Sequence, residues 1–217
     1  MTRWEPNARG RLELAAMELY GERGFERTTV AEIAERAGLT ERTFFRHYAD
    51  KREVLFAGSG EVPQLLEAAI AGAPRRATPM AAAQRAVETV GEAIAEQRGR
   101  VFARRRRDII VANPELQERE LIKLASWAAT IAAALRERGV GEAAARLSGE
   151  VAIAVFRVAF ATWVDGPADG ELPELTRAAF AELRSLSRPG TGRTGTSPAA
   201  AGGARATRRG KRPAAAP

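Results

Sequence analysis

The segment from Thr28 to Leu55 constrains the fold of this chain more than any other part of the sequence. Thr29 stands three residues before Glu32, the capping-box spacing in which each side chain bonds an unpaired amide of the first helical turn. Gly38 can end this first helix, because glycine adopts the left-handed backbone of a helix C-terminus without steric cost. Thr40 can then cap a second helix. Two short helices joined by so tight a turn are typical of a helix-turn-helix, which places one helix in a DNA groove.

The second helix is expected to present two different faces. Phe44 and Tyr48, four residues apart, share an apolar face that points back to the first helix. Asp50 and Glu53 repeat the capping-box spacing, so a further helix should begin there with Lys51 in its first turn. A helix N-terminus attracts anions, and a bound phosphate would account for a lysine at that position. The outward face of the second helix is polar and partly basic: Glu41, Arg42, Thr43, Phe45, Arg46 and His47.

An amphipathic helix is predicted immediately upstream, from Arg9 to Glu22. Its apolar residues recur at intervals of three and four and give it one buried face: Leu12, Ala15, Ala16, Leu19 and Tyr20. Gly24 closes this helix, and Phe25 then fills the small core that it forms with the helix-turn-helix pair. The N-terminal part is therefore expected to be a three-helix domain.

The segment from about Arg9 to Leu55 resembles the N-terminal DNA-binding domain of the TetR (tetracycline repressor) family of transcriptional regulators. In that family a threonine, an apolar residue, an aromatic, a variable residue, a histidine and an aromatic run through the recognition helix, and a lysine follows. This chain carries them as Thr43, Phe44, Phe45, Arg46, His47, Tyr48 and Lys51. Phe45 stands where the family usually has tyrosine, so it keeps the ring without the hydroxyl.

The resemblance implies two sets of contacts with double-stranded DNA. Arg42, Thr43 and Arg46 would approach base edges, where arginine can bind guanine through two hydrogen bonds in the major groove. The alternative is that each arginine is an ordinary solvated surface residue. Contacts to the DNA backbone position a protein without specifying sequence, and these would come from Thr28 or Thr29, Thr40, Phe45, His47 and Lys51.

The basic charge of the chain is concentrated at its C-terminal end. The sequence has 34 Lys and Arg against 27 Asp and Glu, for a net charge of +7. Residues 188–217 hold seven of the basic residues and no acidic one, so the rest of the chain has no net charge. This tail is rich in Gly, Ala and Pro and is predicted to be disordered. It is either a nonspecific DNA-binding extension or a solvated end with no specific task.

Several classes of function have little support in the sequence. Because the chain has no cysteine, it has no disulfide, thiolate metal site or cysteine nucleophile. Its one histidine, His47, belongs to the expected recognition helix, and no phosphate-binding glycine loop or metal-ligand cluster is evident. We therefore expect no enzyme, no cofactor and no metal. Without an apolar run of about 18 residues or a secretion signal, we expect a cytoplasmic, nucleoid-associated bacterial protein with no membrane partner.

The fold class is predicted to be all-α, with an N-terminal three-helix helix-turn-helix domain and a C-terminal helical bundle for ligand binding and dimerisation. Thr78–Pro79 and Asn113–Pro114 are expected cap and first-turn pairs. Breakers and caps place the later helices at about residues 78–97, 100–112, 113–138, 142–164 and 173–186. The expected domains are 1–55 for DNA binding, 56–187 for effector binding and dimerisation, and 188–217 for the disordered tail.

The helix at 142–164 carries apolar residues on nearly all its sides: Val151, Ile153, Val155, Phe156, Val158, Phe160 and Trp163. Such a helix must be covered all round. One face can be buried in its own bundle, and a second copy of the chain would cover the other, with Val151, Val155 and Phe160 at the interface. The alternative is a core helix buried within a single chain. The family resemblance also implies a homodimer, which would read a palindromic operator.

The basic helix at 100–112 offers one clue to an effector. On a helical wheel Arg105 falls on the apolar side, between Val101, Phe102, Ile109 and Ala112. A guanidinium there needs a partner, which is either an internal carboxylate or an anionic group of a ligand. Possible walls of an effector pocket are aromatic: Phe102, Trp127, Phe156 and Trp163.

The resemblance implies a sequence-specific transcriptional regulator, most simply a repressor that a small hydrophobic or amphipathic effector releases from its operator. The alternative is an architectural DNA-binding protein without an effector. Such a protein would use the same helix-turn-helix with little sequence preference, so the ratio of operator to random-DNA affinity separates the two hypotheses.

Overall fold

The computed structural model describes residues 7–166 and 170–187, and these are almost entirely helical. They form eight α-helices and one 3₁₀ helix: α1 (Ala8–Arg23), α2 (Val30–Arg36), α3 (Glu41–His47), the 3₁₀ helix (Glu53–Ser59), α4 (Val62–Ala71), α5 (Pro79–Val111), α6 (Pro114–Glu137), α7 (Glu142–Asp165) and α8 (Leu172–Leu186). The all-α prediction is confirmed, and the described ranges contain no strand. The predicted disordered tail at 188–217 lies outside the described residues.

Most of the expected helix starts are present. The reciprocal capping box of Thr29 and Glu32 opens α2, and the Thr78 hydroxyl accepts the Ala81 amide at 3.2 Å to open α5. Pro114 begins α6 as expected, but Asn113 does not cap it. The Asn113 side-chain amide instead donates to the Ile109 carbonyl at 2.6 Å, so it ties the turn to the end of α5.

Two helices that the sequence separates are joined across a kink in α5. Gly99 has φ 68° and ψ 167°, which breaks the helical path between the segment that begins at Pro79 and the basic segment that ends at Val111. Glycine tolerates this positive φ without a Cβ clash. The two segments therefore point in different directions, as the separate helices at 78–97 and 100–112 predict.

The segment after the recognition helix differs from the expected helix. The Asp50 carboxylate does accept the amides of Arg52 and Glu53, at 2.8 and 3.1 Å. However, the chain then forms the 3₁₀ helix, and a regular α-helix starts only at Val62. Gly58 and Gly60 lie in this interval and disfavour a continuous α-helix.

The buried residues form two cores. The first joins α1, α2 and α3 around Phe25 and Phe44, and it also takes in Ile109, Ile110 and Leu116 from the adjoining ends of α5 and α6. The second lies among α4 to α8. The core of the helix-turn-helix is thus continuous with the junction of α5 and α6. A displacement of that junction would therefore also displace α1, α2 and α3.

One side of helix α7 packs closely on α6. Another side, with Leu147 and Val158, is exposed to solvent. A Cβ atom at Gly149 would stand 2.4 Å from the Ala128 carbonyl oxygen, so only glycine allows this approach of the two backbones. Helix α7 is also long and apolar enough to cross a membrane, but half of its most apolar stretch is buried in the bundle. The core helix of a soluble bundle has the same composition, and α7 is packed as one.

Candidate nucleic-acid interface and effector cavity

The recognition helix α3 is fixed at its start by a threonine pair and along its inner side by aromatic rings. The Thr40 hydroxyl accepts the Thr43 amide at 3.2 Å and lies 3.1 Å from the Thr43 hydroxyl. Phe44 is fully buried, and its ring centroid lies 5.5 Å from that of Tyr48. The inward face is the one that the sequence predicts, so the orientation of the outward face follows from it.

The outward face of α3 brings the predicted base-contacting residues together. Arg42, Arg46 and His47 are exposed, Thr43 is half-buried, and Phe45 is an exposed aromatic at 54 %. An exposed polar face with one aromatic ring on a rigid, capped helix is suited to a major groove. Contact of these residues with DNA stays a prediction.

The turn between α2 and α3 is held by α1. Gly38 has φ 64°, and the Arg11 guanidinium donates to the carbonyls of Ala37 and Gly38. A Cβ atom at Gly38 would stand 2.7 Å from Arg11 Nη2. Glycine is therefore favoured here by the backbone conformation, whereas the end of the Arg11 side chain could move aside for a Cβ atom.

Of the two threonines before α2, only one is accessible. Thr29 is exposed at the start of α2, but Thr28 is 1 % exposed, and its hydroxyl donates to the Gly24 carbonyl at 2.9 Å. The prediction that Thr28 contacts DNA is wrong, because this side chain faces the core below the loop. Thr29 stays the candidate for the phosphate contact at this helix start.

Lys51 has a structural role that the sequence analysis did not foresee. Its ammonium group donates to the carbonyls of Phe25, Glu26 and Thr28 at 2.9, 3.2 and 3.0 Å, and it lies 4.4 Å from the centroid of the Phe25 ring. The expected lysine in the first turn of an α-helix is therefore wrong. Lys51 closes the loop between α1 and α2, and a DNA phosphate would have to compete with three carbonyls for it.

A cavity of about 280 Å³ lies between the 3₁₀ helix and helices α4 to α7. Its wall is mostly apolar and includes Phe102, Trp127 and Phe156, and the binding of an effector there stays a prediction. Trp163 does not line it: this buried indole packs against Phe160 at 5.8 Å between ring centroids. Phe160 forms part of the wall in its place. A mostly apolar, partly open cavity of this kind is suited to a small hydrophobic molecule.

One end of the cavity is charged. Glu120 lies between Arg106, at 2.7 Å, and Lys123, whose ammonium donates to both carboxylate oxygens at 2.9 and 2.8 Å. Burial by itself raises the pKa of Glu120, but the two cations outweigh it and lower the pKa to about 2. Burial and the charge of Arg106 lower the pKa of Lys123 to about 8 against the opposing effect of Glu120. The cluster thus holds two cations on one carboxylate.

The same cluster is bonded to the segment that follows the recognition helix. Arg106 Nε donates to the Leu55 carbonyl at 2.6 Å, and its guanidinium lies 5.1 Å from the centroid of the Phe56 ring. Arg119 of α6 pairs with Glu53 of the 3₁₀ helix. The charged end of the cavity and the DNA-binding domain therefore share direct contacts.

The run of four arginines in α5 is divided among three tasks. Arg104 donates to the Val164 carbonyl, and Arg107 binds both Asp165 carboxylate oxygens at 2.8 and 2.9 Å. These two cations stabilise the C-terminus of α7, where the helix dipole is negative, and the Arg107 hydrogen bonds lower the pKa of Asp165. Arg106 faces the cavity. Arg105 lies beside Gly21 of α1.

The predicted anion-binding role of Arg105 is therefore wrong. Arg105 is exposed, and its guanidinium lies near α1 and not in the cavity. Arg106, one residue later, faces the cavity in the way that was expected of Arg105. Glu120 and Lys123 also line the cavity, and the sequence analysis did not predict them. A wheel of α6 contains the signal, because Lys123 adjoins Leu124 and stands four residues before Trp127 on the apolar face.

The outer face of α7 also differs from the expected interface. Val155 is buried at 8 % within the chain, Val151 is half-buried, and Phe160 lines the cavity. The exposed large apolar residues of α7 are Leu147 and Val158, at 64 and 62 %. Val155 is covered by its own chain, which contradicts its predicted place at the interface, whereas Val151 and Phe160 are only partly buried and their place there stays a prediction. A second copy would meet the stripe that carries Leu147 and Val158.

Comparison with known proteins identifies two families along the chain. Residues 14–57 match the family of bacterial regulatory proteins described as the tetR family. Residues 77–187 match the MftR C-terminal domain. The second match alone covers half of the chain, and the first coincides with the helix-turn-helix and its flanking helix.

Curated relatives and solved structures agree with these families. The chain is 37 % identical over 82 residues to the HTH-type transcriptional regulator TcmR of Streptomyces glaucescens, a match that spans 38 % of this chain and 36 % of TcmR. It is 27 % identical over 151 residues to MftR of Mycobacterium tuberculosis, named as a mycofactocin biosynthesis transcriptional regulator, covering 68 % of this chain and 74 % of that protein. A similar fold is found in FadR of Thermus thermophilus, a TetR family transcriptional repressor solved with lauroyl-CoA. The TM-score is 0.54 and the sequence identity is 23 %, and the match covers 83 % of this chain and 95 % of FadR.

Proposed function

The chain belongs to the TetR family of bacterial transcriptional regulators, and from that premise we propose that it is a repressor that a small amphipathic molecule releases from a palindromic operator. One observation carries this proposal. The cavity that can hold an effector is bonded, through Arg106 and the Leu55 carbonyl, to the segment that follows the recognition helix. A ligand that moves Arg106 can therefore change the orientation of α3.

The recognition helix supports the DNA-binding part of the proposal. Arg42 and Arg46 would choose the sequence through guanine contacts, with Thr43 beside them. Thr29, Thr40, Phe45 and His47 would contact the DNA backbone, and Lys51 would hold the loop beneath Thr29 in place. Both arginines are exposed on one face of α3, as a contact with base edges requires.

A homodimer would present the recognition helix twice. The exposed apolar residues of α7, Leu147 and Val158, favour association through α7 and α8 of two copies. The two recognition helices would then read half-sites separated by about one helical turn or a multiple of it, which requires a palindromic operator. We expect the protein to act in the cytoplasm, where its operator lies.

The effector would be small and largely apolar. FadR of Thermus thermophilus was solved with lauroyl-CoA, an acyl thioester. The cavity of this chain is lined mostly by apolar side chains and has a charged end, which suits an amphipathic molecule. A non-enzymatic role fits the relatives, which are named as regulators.

The proposal is tested by footprinting on the DNA that flanks the gene of this protein. We expect a protected, two-fold symmetric site that is lost when a suitable apolar ligand is added. The Arg42→Ala and Arg46→Ala double variant should leave the fold intact, as checked by circular dichroism, and abolish the footprint. Equal affinity for the flanking DNA and for random DNA would contradict a specific repressor and would favour an architectural DNA-binding protein.

A further inference from the structure

We propose that the cavity takes a ligand with an apolar chain and a single carboxylate, and that this carboxylate binds between Arg106 and Lys123. The inference deepens the proposed function, on which it rests, by naming the chemical class of the effector. It depends on the charge, burial and position of three side chains: Arg106, Glu120 and Lys123.

The balance of charge in this cluster favours a second anion. Arg106 and Lys123 share one carboxylate, that of Glu120, so the cluster carries an excess positive charge. Within the described part of the chain, both hydrogen bonds of the Lys123 ammonium go to Glu120, although an ammonium has three donors. A ligand carboxylate could bind Lys123 and Arg106 from the cavity side and neutralise the excess charge.

The two cations are largely withdrawn from water. The side chains of Arg106 and Lys123 are 16 and 14 % exposed, and both line the cavity. Charges in such surroundings are weakly screened, so a carboxylate that reaches them binds more tightly than it would at a surface. The lowered pKa of Lys123 has the same origin, because an ammonium that burial and Arg106 disfavour gains most from a new anion.

The position of the cluster fits an amphipathic ligand better than a polar one. Lys123 Nζ lies 4.8 Å from the centroid of the Trp127 ring, and Trp127 faces the apolar part of the cavity with Phe156 and Leu124. An apolar chain would therefore extend from the cluster along these side chains. A ligand amine would meet two cations and one carboxylate at this end, and this net positive charge disfavours it.

The other charged residues of the cavity wall also favour an anionic ligand. Arg107 and Arg157 also line the cavity, and Asp165 neutralises Arg107. The other acidic residue of the wall, Glu13, accepts a hydrogen bond from Tyr48 at 3.1 Å and lies 3.8 Å from the Arg9 guanidinium. The wall therefore favours an anionic ligand over a cationic one.

The test compares ligands that differ only in their head group. Decanoate, decanol, decylamine and decanoyl-CoA are titrated into the full-length protein, with binding measured by calorimetry and by intrinsic tryptophan fluorescence, to which Trp127 of the cavity wall contributes. A charge-assisted contact with two cations should make decanoate bind about 10-fold or more tightly than decanol. We expect decylamine to bind more weakly than either.

Variants then assign the preference to the cluster. Lys123→Gln should lower the affinity for decanoate about 10-fold and leave decanol within about 2-fold, since it removes one charge-assisted contact. Glu120→Gln removes the competing carboxylate and should raise the affinity for decanoate. Arg105→Gln, which alters an exposed arginine on the same helix, is the matched control and should change neither ligand. Each variant is first checked for the wild-type helical content.

Three results would overturn the inference: decanol bound as tightly as decanoate, an equal loss of both ligands in Lys123→Gln, or binding of decanoyl-CoA without binding of decanoate. In each case the protein is also assayed for operator binding. An operator complex that another compound releases would leave the proposed function standing while the carboxylate site fails. Failure to bind a specific operator would contradict the proposed function itself, whatever the ligand result.

Discussion

Replacing Glu120 by glutamine should destabilise the fold by an amount that the structure allows us to calculate. The pKa of Glu120 is lowered from 4.5 to about 2 in the folded chain. At about 1.4 kcal/mol per unit of pKa, the ionised carboxylate stabilises the folded state by about 3 kcal/mol at neutral pH. The Glu120→Gln variant loses this contribution and leaves Arg106 and Lys123 facing each other without a carboxylate.

Lys123, in contrast to Glu120, lowers the stability of the folded state at neutral pH. Its pKa is lowered from 10.5 to about 8, so burying the charged ammonium costs a comparable amount of free energy below pH 8, and this cost is relieved as the pH rises from about 8 to 10.5. Lys123→Met should therefore be neutral or stabilising at pH 7. The double variant Glu120→Gln, Lys123→Met should recover most of the stability that Glu120→Gln loses, since a buried pair costs most when only one partner is removed.

Urea unfolding followed by circular dichroism measures these differences at a fixed protein concentration. The deficit of Glu120→Gln should shrink as the pH falls through the interval from 4.5 to 2, because the unfolded wild-type chain binds a proton at this carboxyl there while the folded chain stays ionised until about pH 2. About a quarter of the deficit should be gone at pH 4 and more than half at pH 3. Glu118→Gln, an exposed neighbour on α6, is the control and should stay within about 0.5 kcal/mol of wild type. A deficit of Glu120→Gln no larger than that of the control, or one independent of pH, would refute the reasoning.

Four further predictions address the other features. Arg46→Ala should cost about 1–3 kcal/mol of operator binding by fluorescence anisotropy and leave random-DNA affinity nearly unchanged; an equal loss on both DNAs would show a backbone contact. Val158→Glu should give monomers in sedimentation, whereas Leu121→Glu, at an exposed apolar residue of α6, should not; a dimer of Val158→Glu would disprove the interface. Gly38→Ala should cost about 1–2 kcal/mol on unfolding, because its φ is 64°; an unchanged midpoint would contradict this. Removal of residues 188–217 should leave operator affinity and its salt dependence unchanged, and a flatter salt slope would assign the tail to DNA binding.

The helix-turn-helix could be read from the sequence because its contacts are local. Thr29 bonds Glu32 and Thr40 bonds Thr43, so each capping interaction joins residues three positions apart. Spacing alone then identifies the partners. Gly38 is also a local requirement, since its positive φ follows from the tight turn. The Thr78 cap and the first-turn prolines of α5 and α6 could be predicted for the same reason, because they too act within one helical turn.

Contacts between distant segments could not be predicted in this way. The carbonyls that bind Lys51 lie in the loop before α2, more than 20 residues earlier in the chain. A helical wheel that treats Val101 as buried puts Arg105 on the buried side of its helix. In the structure, however, Val101 is 84 % exposed. Without Val101, the buried positions of that helix centre on Arg106. A wheel gives the angle between side chains, and only the neighbouring helices determine which angle is inward.

Arg106 connects the two sites of the proposed function, the cavity and the DNA-binding domain. Its Nη2 binds Glu120 at 2.7 Å and its Nε binds the Leu55 carbonyl at 2.6 Å, so one rigid guanidinium joins the charged end of the cavity to the end of the DNA-binding domain. Because the guanidinium is planar and its donors are fixed in direction, a rotation toward a new carboxylate would disturb the Leu55 bond. If the proposed function holds, a ligand that displaces Arg106 would weaken operator binding by the same factor by which operator DNA weakens ligand binding. Arg106→Lys would keep the positive charge but lose the fixed geometry, so ligand could still bind while the two affinities become independent.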